Sequence, residues 1–79
     1  MRIACSLGSL LSVEEVLQCT ELVSKIKIDS IWIPETWGME NFSMLGAVAN
    51  NTNTQKIGSS IINIYSRSPS TIAMGSATI

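Results

Sequence analysis

Glu35 stands where an apolar run, Ile31-Trp-Ile33, meets a loop. Pro34 must close that run as a strand, because proline has no amide proton for a central ladder. A carboxylate at a strand's carboxyl end can bind a substrate or hold a proton in transit; the alternative is a solvated loop acid. Trp37, two residues on, can wall a substrate pocket or pack beneath the loop. Trp32, inside the run, reads as core. Cys5 and Ser6 end the first apolar stretch; they are read as sharing a face, where they line a pocket floor or simply pack. After the third apolar stretch come Asn63, suited to an Asx turn, and Arg67, which precedes a helix cap and is read as orienting its loop through backbone carbonyls. Met39, Met44 and Met74 serve as core or loop filler.

Other chemistries lack their residues. The chain has no histidine, hence no imidazole base or ligand. Cys5 and Cys19 have no CxxC or Cys/His spacing and read as reduced, buried thiols. The first strand-helix turn, Gly8-Ser-Leu-Leu-Ser12, is not GxGxxG, and no GxxxxGK[ST] occurs. A net charge of −1 and a pI of about 5.1 give no footprint for nucleic acid. The start, broken by Ser6, Gly8, Ser9 and Ser12, makes a poor signal peptide. No run approaches the roughly 20 apolar residues that span a bilayer. These features predict a cytoplasmic protein with no membrane or nucleic-acid partner.

The elements that must position these residues follow from periodicity. Ser12 and Glu15 form a capping box for a helix from Val13 to about Lys25. Val13, Val16, Leu17, Thr20, Val23 and Ile26 make its buried face, and Glu21 and Lys25 sit at i,i+4. Arg2 to Leu7 predicts a buried first strand. A second helix, capped by Asn41 or Ser43, carries Phe42, Leu45, Val48 and Ala49, and the polar run from Asn50 to Thr54 stops it. Lys56 to Ile62 is a third strand. Ser68 and Pro69 open a third helix as cap and first residue, still running at Ile79.

Strand and helix thus alternate three times, which implies right-handed βαβ units and a parallel sheet. The fold class is α/β: the first three units of a (β/α)₈ barrel, or of a doubly wound sheet. Hydrophobic residues make up 46% and charged residues 14%, against about 25% charged in an average domain. So small a chain should carry more charge, so some of its faces are expected to be covered by further chain.

Two stretches resemble the luciferase-like family: Ile31-Trp-Ile-Pro-Glu-Thr-Trp37 with Gly38 and Asn41-Phe42, and Ile57-Gly-Ser-Ser-Ile-Ile-Asn-Ile-Tyr-Ser-Arg-Ser-Pro69 with Ala73-Met74. The second is closer to the deazaflavin-dependent branch, which includes methylenetetrahydromethanopterin reductase. The resemblance covers essentially the whole chain, so residues 1–79 read as the amino-terminal part of a luciferase-like barrel domain. It implies an oxidoreductase that transfers a hydride between coenzyme F420 and an organic substrate, with an FMN-dependent monooxygenase as the alternative. It also implies a homo-oligomeric whole enzyme. A bulge on the third strand, with a non-prolyl cis peptide, backs the ring in this family. By position that bond is Ser60–Ile61, expected to relax to trans in these 79 residues alone. Asn63 would reach the ring's polar edge, Glu35 would be catalytic, and Trp37 and Ser6 would line the substrate pocket. Relatives often place a histidine after the acid; Thr36 stands here, which counts against imidazole-assisted proton transfer. The family grips the cofactor's phosphate and tail with segments beyond the barrel's midpoint. By themselves these residues are therefore expected to bind cofactor weakly and to be inactive, as a truncated gene product would be.

Overall fold

The computed structural model describes residues 1–8, 10–35, 39–52 and 55–79; Trp37 and Thr36 lie outside them. Six elements alternate: β1 (Ala4–Ser6), α1 (Val13–Val23), β2 (Ser30–Pro34), α2 (Asn41–Asn50), β3 (Lys56–Ile61) and α3 (Pro69–Thr78). The strands form one parallel sheet in the order β1-β2-β3. The three expected strand-helix units are therefore present, and β2 is central.

β2 decides which face of the sheet is covered. Ile31 and Ile33 point the same way and are fully buried, together with Val16 from α1 and Met44, Leu45 and Val48 from α2. Both helices lie on that face, as right-handed crossovers between neighbouring parallel strands require. Trp32, between the two isoleucines, points the other way and is 39% exposed. This corrects its reading as core: alternation along a strand cannot bury three consecutive side chains when only one face is covered. Its indole donates to Ser30 Oγ at 2.9 Å and lies across β3 at Gly58, where a Cβ would come within 2.8 Å of the ring.

The same alternation separates Cys5 from Ser6. Cys5 is half-buried against the core, whereas Ser6 is exposed on the opposite face. They do not share a face. Both thiols are free, and both are half-buried rather than buried.

The helix starts follow local chemistry. Ser12 Oγ accepts from Glu15 N–H at 3.2 Å, and Glu15 accepts from Ser12 N–H at 2.9 Å, so the capping box forms. Helix α1 ends at Val23, earlier than expected: Ser24 Oγ donates to Glu21 O, and Ile26 N–H bonds Val23 O in a tight turn. Ile26 therefore loses the helical phase and is 58% exposed, and Glu21 and Lys25 form no ion pair among the described residues. Helix α3 begins as its sequence dictates, with Ser68 capping Thr71 N–H and Pro69 in the first turn. It buries no residue of its own. Its closest approach is Gly75 to the Phe42 ring, where a Cβ would stand 2.8 Å from ring carbons.

β2 and β3 run in register from Ser30↔Lys56 to Ile33↔Ser59; Pro34 then faces Ile61. Ser60 is the extra residue of a β-bulge. It falls on the third strand, at the place the family resemblance implies.

Candidate functional site

The carboxyl ends of β2 and β3 meet at Glu35. Its amide donates to Ile61 O at 2.8 Å, the last bond between the two strands. Its carboxylate is saturated. Oε1 accepts from Asn63 N–H at 2.8 Å and Arg67 Nη1 at 2.6 Å. Oε2 accepts from Asn41 N–H at 2.8 Å and Arg67 Nη2 at 2.5 Å. The side chains of Glu35 and Arg67 are 8% and 10% exposed. The pair is a bidentate fork, the geometry in which guanidinium and carboxylate match best.

Glu40 completes the cluster and caps α2. It accepts from Phe42 N–H at 2.8 Å and from Ser43 N–H at 3.0 Å. It also accepts from Ser43 Oγ and Arg67 Nη2, each at 2.6 Å. Asn41 and Ser43 are thus not the caps. Asn41 is the first helical residue and is fully buried, its Nδ2 donating to Ile33 O at 2.9 Å beside the register slip. Its Oδ1 has no partner among the described residues. Two carboxylates converge here because orphan amides at a helix start, the positive end of its dipole, favour negative charge.

Arg67 Nη1 also donates to Asn63 O at 3.1 Å, so Arg67 does orient its loop through a carbonyl, as its position predicts. The guanidinium lies 5.3 Å from the Phe42 ring centroid, a cation–π contact. The ion pairs with Glu35 and Glu40 escape sequence reading. Their only signal is opposite charge at the ends of neighbouring strands.

This surrounding fixes protonation. Arg67 holds the Glu35 carboxyl at about 2; burial opposes it, and the Asn63 and Asn41 amides reinforce it. The Ser43 hydroxyl bond chiefly holds Glu40 at about 2, against burial and with help from the Phe42 and Ser43 amides and Arg67. Glu35, then Glu40, raises the guanidinium above its ordinary value. Groups with a depressed folded-state pKa contribute stability above their ordinary value of 4.5 and lose it as the pH falls through about 2. The melting temperature should therefore hold level from neutral pH down to about 5 and fall steadily towards pH 2. A thermal melt at each pH checks this; a level profile to pH 2 would mean that the carboxylates are unpaired.

Glu35 carries no proton at neutral pH in this geometry, and all four of its acceptor positions are occupied. It anchors two strand ends and a helix start, a role beyond the two weighed from sequence. Ser60 and Ile61 are exposed at the bulge, Ile61 by 54%. The peptide between them is trans, as expected for this length of chain. Asn63 is exposed and forms the Asx turn, its Oδ1 accepting from Tyr65 N–H at 2.8 Å. Its Nδ2 donates to no group among the described residues. Ser6 stays apart: it ends β1, on the far side of β2 from β3, and makes no bond to the cluster. Trp37 lies outside the described residues.

Among the described residues no helix is long and apolar enough to cross a membrane. No curated protein and no solved structure matches the chain. The family model of luciferase-like monooxygenases does match, over residues 1–79, along the whole length that carries the bulge and the Glu35–Arg67 cluster. The chain belongs to the luciferase-like monooxygenase family, whose members are oxidoreductases.

Proposed function

We propose that this cytoplasmic chain takes part in two-electron redox chemistry at the carboxyl ends of its strands, a hydride passing between coenzyme F420 and an organic substrate of the methylene-pterin class. The observation that carries this is the bulge at Ser60 beside the Glu35–Arg67 fork. The residues present suit a flat ring with one polar edge. Ile61 offers an exposed apolar surface at the bulge, and two residues on the Asn63 Nδ2 donates to no group among the described residues. The deazaflavin supplies the hydride chemistry when bound. The chain's part is to hold Ile61 and Asn63 at fixed separation, which Glu35 does by donating its backbone N–H to Ile61 O and accepting from the Asn63 N–H at its carboxylate. Arg67 locks the same loop from the other side. Glu35 acts in this reading as a positioning residue, because a carboxylate held at about 2 does not exchange a proton near neutral pH. Ser6 and Trp37 would line the substrate side.

A second reading, an FMN-dependent monooxygenase, draws on the printed description of the matching family. A deazaflavin does not activate oxygen, so oxygen uptake separates the two. The test is a titration with F420 and, separately, FMN, followed by ring fluorescence. Weak saturable F420 binding is expected, falling about fivefold in Asn63→Ala as one hydrogen bond is lost. Saturable FMN binding alone, with oxygen consumption, would favour the monooxygenase. Binding of neither would sink both.

A further inference from the structure

We propose that Phe42 is a positioning residue of the carboxyl-end site, and that Gly75 is the residue through which helix α3 holds it there. The proposal rests on the redox reading only in taking the Asn63 loop as the working part of that site. Its physical basis is the way Arg67 is restrained. The N–H groups of a guanidinium all lie in one plane, so its hydrogen bonds fix where the fork points within that plane. For Arg67 these are the bonds to Glu35, Glu40 and Asn63 O. They resist a tilt out of the plane much less.

Phe42 supplies the missing restraint. Arg67 Cζ stands over its ring, 5.3 Å from the centroid, near enough for a cation–π attraction. The ring shuts one face of the guanidinium from water, which strengthens the charge pairs on its rim. The neighbouring loop residues from Asn63 to Ser66 are all exposed, yet the Arg67 side chain is only 10% exposed.

The ring has to be held in turn. Phe42 is the second residue of α2, and its amide donates at 2.8 Å to Glu40 Oε2, the same oxygen that accepts from Arg67 Nη2. Its backbone is thus tied to the cluster that its ring covers. One ring edge lies against α3: a Cβ on Gly75 would come within 2.8–3.0 Å of three neighbouring ring carbons, closer than carbon atoms pack. Gly75 therefore lets α3 stop the edge of the ring while Arg67 covers its face. A shift of α3 reaches Asn63 through two contacts, ring to guanidinium and guanidinium to Asn63 O at 3.1 Å.

Nitrogen-15 NMR of the guanidinium groups tests this. The chain has two arginines, and Arg2 forms no ion pair among the described residues, so it is the internal reference. Rotation about Cζ–Nε requires the fork to open, so Arg67 should rotate about tenfold more slowly than Arg2, or slower still. In Phe42→Leu, which keeps an apolar side chain, Arg67 should rotate about fivefold faster, as loss of a cation–π contact allows, with Arg2 unchanged. Gly75→Ala should speed Arg67 likewise, although alanine is the better helix former and by itself steadies α3. In the double variant the alanine should add nothing, since the ring through which it acts is gone. If Phe42→Leu does not fold, Gly75→Ala decides alone. The proposal is overturned by unchanged rotation of Arg67 in either folded single variant, by equal acceleration of Arg2, or by additive effects in the double variant. The readout needs no cofactor, so failure to bind F420 or FMN would sink the redox reading and leave this result standing.

Discussion

Arg67→Gln should lower the melting temperature by on the order of 10 °C or abolish the cooperative transition, because it leaves a nearly buried carboxylate without its countercharge. The reasoning is asymmetric. Glu35 keeps the Asn63 and Asn41 amides but loses both limbs of the guanidinium fork. The neutral amide also leaves Glu40 with one donor fewer. The pH response of the variant should be weaker than that of the parent. Without the guanidinium, burial opposes the Asn63 and Asn41 amides alone, so the folded pKa of Glu35 rises towards its ordinary value and less stability is lost below pH 5. The double substitution Glu35→Gln with Arg67→Gln should be more stable than Arg67→Gln alone, since no buried charge remains. Melts of the parent and the two variants at pH 7 and pH 3 decide the matter. A single variant as stable as the parent would show that the fork contributes nothing.

Ile31→Ala should cost about 2–5 kcal/mol, the usual effect of emptying a fully buried aliphatic position. For a chain of 79 residues, with a total stability of roughly 4–12 kcal/mol, that is a large part of the whole. Ile31 lies under both covering helices, in the central strand, where little relaxation can refill the space. Trp32→Ala is the control, since it removes a larger side chain from the uncovered face. It should cost less, because 39% of that residue is already in water and its removal leaves no enclosed cavity. Urea unfolding of the two variants measures the difference. A larger loss from Trp32→Ala would show that the covered face of the sheet has been assigned backwards.

What the sequence discloses and what it hides divide by range. Ser12 with Glu15, Ser68 with Pro69, and the strand stop at Pro34 are all written in neighbouring residues, and each stands where local chemistry puts it. The cap of α2 is not. Asn41 is the better cap by type, but a carbonyl on β2 recruits its amide into the core, and Glu40 takes the cap. Trp32 misleads for a related reason. In a short apolar run of Ile-Trp-Ile nothing tells whether one face or both are covered, and only the placement of α1 and α2 decides. The Glu35–Arg67 fork joins residues 32 apart in sequence. No periodicity connects them; they meet because consecutive parallel strands bring their carboxyl ends side by side. Asn63 shows the middle case, where the local Asx turn was legible and leaves the other end of the same side chain available.

The extra residue in β3 acts as a one-position frameshift in the reading of inside and outside. Ile57 and Ser59 stand opposite Ile31 and Ile33, on the helix-covered side. Were Ser60 paired regularly with Pro34, the next odd position would continue that series, and Ile61 would sink beneath the helices as one more core isoleucine. Counting one residue twice flips the parity, so Ile61 stands opposite Pro34 and surfaces on the open side. Any later residue of the strand inherits the inversion. A family that needs an apolar side chain to surface at one strand end, while the rest of the strand stays in the core, can thus obtain it without altering the hydrophobic pattern. Deletion of Ser60 would restore regular pairing with Ile61 still opposite Pro34, whereas straightening the bulge with Ser60 retained would withdraw Ile61 from the surface.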